Sequence, residues 1–218
     1  MRELVLRNPG LVENDEDGTS CFLACSQMLL RTGRGIRVPS FDELSEIIHR
    51  KPGQYSWEYG MLTYFSKCGF DVGFISTFDL SRLCSEGNDY MYEYFGKEAA
   101  DDQIQNSDMA QVFEDVREFL RSSGVSIKNR IPTQDDIVQL LCDGFYLIPY
   151  VNQRILQADP GYVAHTIFLY GYSLRGVRMH NPGPPATEAS EVAWDLFAKA
   201  WSSPSEQARI LFYAKPLA

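Results

Sequence analysis

The sequence is short of positive charge. Its 218 residues hold 20 Lys and Arg against 29 Asp and Glu, a formal net charge of −9 at pH 7. No basic run offsets that balance, so neither nucleic acid nor an anionic membrane surface is an expected partner. Long apolar runs are missing as well. The longest, around 145–151 and 167–170, are strand-sized and far below the roughly 20 residues that span a bilayer. Residues 1–7 (Met-Arg-Glu-Leu-Val-Leu-Arg) lack the apolar centre of a secretory signal. Histidine is scarce, with only His49, His165 and His180. Cys21, Cys25, Cys68, Cys84 and Cys142 are an odd number of cysteines without close Cys-x-x-Cys spacing. Without a secretory signal, such a set predicts reduced thiols in a cytoplasmic setting. The histidines and cysteines make no zinc-ligand pattern, so neither a metal nor any other cofactor is implied.

What is present is the composition of a folded chain: 44% hydrophobic, 13% aromatic and 22% charged residues. That balance excludes wholesale disorder, collagen-like repeats and coiled coil. A chain of this length buries roughly 70% of its unfolded surface without disulfide staples. One domain over 1–218 is expected, with a helical insertion at 81–131.

Periodicity sketches the order of elements. Cys21, Phe22, Cys25, Met28 and Leu29 mark a helix stopped at Gly33. Ser40-Phe-Asp-Glu43 reads as a capping box for a second helix running to His49. A third helix is placed from Ser56 to Cys68, then a strand at 72–75. In the 81–131 block, Met109, Val112, Phe113, Val116 and Phe119 form an amphipathic stripe. Thr133-Gln-Asp-Asp136 caps the next helix. Strands are then expected at 145–152, 165–172, 177–181 and 209–213, with Ser173–Gly176 as a hairpin turn and a helix carrying Trp194, Phe197 and Trp201. Helices first and strands second predict an α+β fold, with the helical half packed on an antiparallel sheet.

Gly18-Thr-Ser-Cys21 opens the first apolar helix. A cysteine there faces the positive end of the helix dipole, which favours the thiolate, and its backbone N–H is among the donors that a helix leaves unpaired. On its own the pattern is weak, because a cysteine on an apolar helix face is more often packing than chemistry. Cys25, one turn on, is read as core. His165 starts the most apolar strand, and Asn181 ends the next. The hairpin brings the two within a few residues of direct opposition, with a stagger or bulge left to close the gap. A base that reaches a thiol, and an amide that fixes the imidazole from behind, are what nucleophilic thiol chemistry requires. Taken singly, each has a commoner structural role.

Together the segments point to a family. Gly18-Thr-Ser-Cys-Phe-Leu-Ala-Cys-Ser-Gln-Met28 resembles the nucleophile helix of papain-like cysteine peptidases, closest to the bacterial branch that processes double-glycine leader peptides. Tyr162-Val-Ala-His165 and His180-Asn-Pro-Gly-Pro-Pro185 resemble that branch's His strand and Asp-Pro turn. The likeness covers 14–33 and 133–203. It implies a papain-like α+β fold and a soluble, standalone cysteine peptidase or amide hydrolase acting on a peptide or amide substrate. Cys21 would be the nucleophile, His165 the general base and acid, and Asn181 the orienting group, in place of the branch's usual Asp. Where the family carries a Gln six residues before the nucleophile, this sequence has Asp15, which repels an oxyanion. Asn14 is the nominated oxyanion donor instead.

Other candidates carry less. By strand alternation His180 should point away from Asn181's face, to a surface or supporting role. His49 is read as a helix-terminal cation, Cys68, Cys84 and Cys142 as small core residues, and Trp194 and Trp201 as a packed pair. The aromatic run at 90–95 is core or groove. The acidic run at 13–17 is a solvated loop, or a feature favouring basic substrates if it borders a nucleophile. Three competing readings remain: transfer of the thioester to an amine acceptor, a non-catalytic peptide-binding module on a papain-like scaffold, and a protein partner docked through 81–131.

Overall fold

Strand alternation organises the structure, because the central strands are apolar on both faces. The computed structural model describes residues 3–15, 18–51, 53–55 and 57–217. In chain order the elements are β1 (Leu4–Val5), α1 (Cys21–Leu30), α2 (Phe41–Ile47), α3 (Tyr59–Lys67), β2 (Phe70–Ser76), α4 (Leu80–Glu86), α5 (Asn88–Phe95), α6 (Lys97–Gln105), α7 (Met109–Arg121) and β3 (Val125–Asn129). There follow α8 (Gln134–Cys142), β4 (Tyr146–Asn152), α9 (Gln153–Leu156), β5 (Ala164–Thr166), β6 (Phe168–Tyr172), β7 (Gly176–Asn181), β8 (Thr187–Ala193), α10 (Trp194–Trp201) and β9 (Leu211–Pro216). The class is α+β.

The strands form one sheet in the order β3-β2-β9-β4-β6-β7-β8, with β1 on β6 and β5 on β4. It is mixed rather than antiparallel throughout. β3 runs parallel to β2, the rest being antiparallel. Four helices, α4 to α7, separate β2 from β3, and a parallel neighbour requires a long crossover of this kind. Along β9, Phe212 and Ala214 enter one core while Leu211 and Tyr213 enter the other. Along β4, Tyr146 and Ile148 face the first, Leu147 and Val151 the second. The first core is closed by α1 to α7, the second by α8 and α10.

The helical expectations hold where caps and apolar stripes coincide. Ser40 and Glu43 form a capping box on α2, as do Thr133 and Asp136 on α8. α1 is buried around most of its circumference, as expected of a helix that is apolar nearly all round. Ser56, the expected start of the third helix, lies outside the described residues. The 81–131 block does not stand beside the core: Leu83, Tyr90, Met91, Ala100, Val112, Val116 and Phe119 are part of the first core. Tyr90 stacks on Phe78, while Tyr92 and Phe95 keep exposed edges. Trp194 and Trp201 do not pack on each other directly but through Phe197, at 6.3 and 5.4 Å between ring centroids. Of the cysteines assigned to the core besides Cys25, Cys68 and Cys84 are only partly buried and Cys142 is exposed, at the C-terminal end of α8.

β2 and β9 form the seam that joins the helical part to the rest of the sheet. At their centre Gly73 pairs with Tyr213, and a Cβ there would lie 1.9 Å from the tyrosine ring. Gly73→Ala is expected to destabilise the fold by roughly 1–3 kcal/mol, since the buried ring must move off its rotamer. Urea unfolding measures this; a shift below ~0.5 kcal/mol would show that the ring yields freely.

Candidate active site

The route from sequence to site runs through a β-bulge. β6 and β7 pair as Tyr172↔Val177 and Gly171↔Arg178, then as Leu169↔Met179 and Phe168↔His180, with Tyr170 as the extra residue. Extended, that register sets residue 165 opposite residue 183, so Asn181 is on His165's face. Without the bulge the parity would reverse, and His180 would share that face. The expected strand at 165–172 also breaks at Ile167, which leaves β5 paired with β4, Val151 opposite His165. The result is a hydrogen bond of 2.8 Å between His165 Nε2 and Asn181 Oδ1. Asn181 Oδ1 also accepts the Gly183 N–H at 2.9 Å. The oxygen is therefore an acceptor, Nε2 carries the proton, and Nδ1 is left for the thiol.

Cys21 is the first residue of α1, whose first turn carries no acidic side chain to oppose the dipole. Cys21 is half-buried, and His165 acts on its thiol. Burial pushes it up, but the His165 hydrogen bond and charge, with side-chain and backbone hydrogen bonds at Thr166, outweigh burial and hold it below the ordinary thiol range. Cys25 shows the contrast. One turn along, fully buried and bonded only to the Thr166 hydroxyl at 3.8 Å, it is pushed well above that range by burial first and the Cys21 charge second.

Asn14 is brought to the site, but as a brace. Its N–H donates to the Pro182 carbonyl at 2.9 Å and its side-chain amide to the Gly183 carbonyl at 3.0 Å. Its Oδ1 accepts from the N–H groups of Asp15 and Ser20. One of its two amide hydrogens is thus committed to the turn after Asn181, fastening the start of α1 to that turn, and the other is left for the nominated oxyanion role. The turn is held again from the other side, where Gln153 and Gln157 both donate to the Pro184 carbonyl. Asp15 accepts from the Ser20 hydroxyl and N–H, and Ser20 Oγ in turn accepts from Arg50 at 2.8 Å. Its carboxylate is thus engaged by the helix start. Of the acidic run at 13–17, Glu16 and Asp17 lie outside the described residues.

His180 occupies the opposite face, as alternation requires, but it is fully buried rather than at the surface. It stacks on Tyr170 at 4.8 Å, donates from Nε2 to Asn8 Oδ1 at 2.7 Å and accepts the Ala189 N–H at Nδ1. Those roles require the neutral ring, and burial lowers its pKa accordingly. His49 is exposed at the end of α2, in a left-handed conformation with φ of 53°. Among the described residues no group of three or more His, Cys, Asp or Glu is arranged to hold a metal ion. No helix among them is long and apolar enough to cross a membrane. A groove of about 1010 Å³ borders the site on its Asn181 side, lined by Gln153, Gln157, Val163, Pro185 and Val192 among others.

Sequence reasoning missed Glu58. It precedes α3, is 6% exposed, and lies within Coulombic reach of Cys21. Burial, offset in part by its own backbone N–H and reinforced by Cys21, pushes its carboxyl up to about 8. An acid ahead of an apolar helix reads in sequence as an ordinary complement to the dipole, so no signal set it apart.

Glu58 carries a stability cost that can be measured. Below the unfolded carboxyl's pKa, near 4.3, the group is protonated folded and unfolded, and costs nothing. Above that the unfolded chain ionises while the folded chain keeps its proton, so stability falls by about 1.4 kcal/mol per pH unit until about pH 8. Glu58→Gln should therefore stabilise the protein at pH 8 by a few kcal/mol and leave pH 4 unchanged, as read by urea midpoints. An equal effect at both pH values would show that the carboxyl is not held protonated. Compared with known proteins, the chain matches no family model and no curated sequence.

Proposed function

We propose that this chain is a cysteine peptidase or amide hydrolase of papain-like type, working through Cys21, His165 and Asn181. The observation that carries the reading is the chain of interactions from Cys21 through His165 to Asn181: a 2.8 Å hydrogen bond to Asn181 fixes the ring, and the ring holds the half-buried cysteine's thiol below its ordinary pKa. A structural cysteine has no need of such a chain, and Cys25 is without one.

In this reading His165 draws the thiol proton to Nδ1, leaving a thiolate at the positive end of α1. The thiolate attacks an amide carbonyl, and the developing oxyanion is received by the Cys21 backbone N–H at the helix start. The imidazolium then passes its proton to the leaving amine, giving a thioester. Water, deprotonated by the same imidazole, attacks the thioester and frees the acid. Asn181 accepts the Nε2 proton throughout and fixes the tautomer without adding negative charge, so it orients the ring and leaves its basicity for the thiol. The bordering groove, at about 1010 Å³, has room for a peptide of several residues. The free thiols suit a reducing, cytoplasmic setting.

Alkylation by iodoacetamide from pH 4 to 9, with the label located by mass spectrometry, tests the reading without a substrate. Cys21 should react selectively at pH values where an ordinary thiol, with a pKa of about 8.5, is silent. His165→Ala removes the lowering influence and leaves burial, so the onset of reaction should move to higher pH. A Cys21 no faster than the other thiols would overturn the proposal.

The same profile separates orientation from packing at Asn181. Asn181→Ala loses one hydrogen bond to a ring that becomes charged, about 1.5–3 kcal/mol. It should move the Cys21 profile upward by about 1–2 pH units. Asn181→Asp, which keeps the acceptor, should restore it. Equal profiles in all three proteins would rule out an orienting role.

A further inference from the structure

Ser20 is a strong capping residue that caps nothing. A serine ahead of a helix ordinarily has extended backbone and accepts the N–H of the second or third helical residue. Ser40 on α2 and Thr133 on α8 do this kind of work, with ψ of 171° and 167°. Ser20 holds the same position on α1 with φ of −107° and ψ of 23°, and its side chain accepts no N–H of the helix. The first backbone bond of α1 runs from the Ala24 N–H to the Ser20 carbonyl. The N–H groups of Cys21, Phe22 and Leu23 ahead of it have no partner among the described residues. Leaving such a cap unmade costs about 1 kcal/mol.

The hydroxyl is held elsewhere. It donates to Asp15 and accepts from Arg50 Nη1 at 2.8 Å, while Arg50 Nη2 donates to the Thr19 hydroxyl at 2.5 Å. The end of α2 aims this arginine. The Arg50 N–H donates to the Ser45 carbonyl at 2.8 Å and the His49 N–H to the Glu46 carbonyl at 3.1 Å, the paired bonds of a Schellman stop. His49 takes the left-handed place in that stop where glycine is usual, which turns the chain so that Arg50 reaches the start of α1. The arrangement is costly. A guanidinium beside the positive end of a helix is disfavoured, and Arg50 Nε is buried without a partner. A fold that needed only a firm start to α1 would let Ser20 cap it.

What the withheld cap protects is the direction of one N–H. The ψ torsion of Ser20 turns the rigid peptide plane that carries the Cys21 N–H. Capping would swing that torsion to the extended value seen at Ser40, turn the Cys21 N–H with it, and lay the hydroxyl's lone pairs across the helix start. We infer that Arg50 is a positioning residue: with Asp15 it holds Ser20 out of the capping conformation, and so keeps the Cys21 N–H aimed at the developing oxyanion. The inference rests on the peptidase reading above. The effect of Arg50 is confined to steps in which a carbonyl oxygen gains charge, because only those use the N–H it directs.

Two reagents separate those steps. Iodoacetamide loses iodide from a saturated carbon as the sulfur bonds to it, and makes no oxyanion. The peptide aldehyde acetyl-leucyl-leucyl-norleucinal does: the S–C bond forms as the C=O π bond opens, and the oxygen carries the charge until it takes up the thiol's proton. Its affinity is read as protection of Cys21 from iodoacetamide, located by mass spectrometry. Arg50→Ala should weaken the aldehyde by roughly tenfold or more while the iodoacetamide rate stays within about twofold. Adding Ser20→Ala to Arg50→Ala should restore most of the aldehyde affinity, since no hydroxyl is left to swing onto the helix start. A general loosening of the site would lower both rates and would not be mended by a second truncation. Arg50→Met, which keeps the stem, carries the same comparison if Arg50→Ala does not fold. Unchanged aldehyde affinity, or a double variant as weak as the single one, overturns the role of Arg50 and leaves the nucleophile reading intact. If Cys21 of the unaltered chain is inert to iodoacetamide, the peptidase reading falls and takes this inference with it.

Discussion

Burial of the central strands on both faces is the constraint from which the rest of the structure follows. β2, β9 and β4 cannot slip in register by one residue without exchanging two cores, one under the helices α1 to α7 and one under α8 and α10. That rigidity fixes β5 and β6, and through them His165. The bulge at Tyr170 then decides which residue of β7 His165 meets. One extra residue turns Asn181 towards His165 and His180 away to Tyr170 and Asn8. The site is therefore an outcome of sheet geometry, with the short loops holding what the sheet has placed.

Those loops act on the 181–184 turn from three directions. Asn14 ties it to the start of α1, Gln153 and Gln157 tie it to α9, and Asn181 itself closes onto Gly183. The consequence is that Cys21 and His165, from elements 144 positions apart in sequence, are referenced to one small body of backbone. Mutual positioning matters here because the thiol's depressed pKa comes from a hydrogen bond and a charge, both of which decay when the partner drifts.

How much of this was legible in the sequence depended on how apolar each part is. α1, α7, α8, β4, β7 and β9 announce themselves by stripe, cap or alternation, and the triad residues by their places at element ends. Among the strands that escaped notice, β3 and β8 are the two edges of the sheet. β8, Thr-Glu-Ala-Ser-Glu-Val-Ala, is largely exposed, so half-solvation removes the very pattern by which a strand is recognised. The parallel pairing of β3 was hidden for a related reason, since orientation is set by the crossover helices and not by the strand's residues. The bulge at Tyr170 and the break at Ile167 leave no mark in composition. Asn14 and Glu58 fall in a third class. Both are polar residues next to helix starts, and only the tertiary setting separates a brace or a buried acid from a cap.

The electrostatics of the site resolve an apparent conflict. A thiolate is favoured by the helix terminus and by His165, yet Glu58 lies within Coulombic reach of it on the helical side. Were that carboxyl ionised, it would push the thiol back up and oppose the chemistry it adjoins. Burial prevents this, because the same desolvation that raises the carboxyl to about 8 keeps it uncharged while the thiol is already below its ordinary range. The two groups are thus shifted in opposite directions for opposite reasons. Cys21 has a partner that stabilises its charged form, and Glu58 has none.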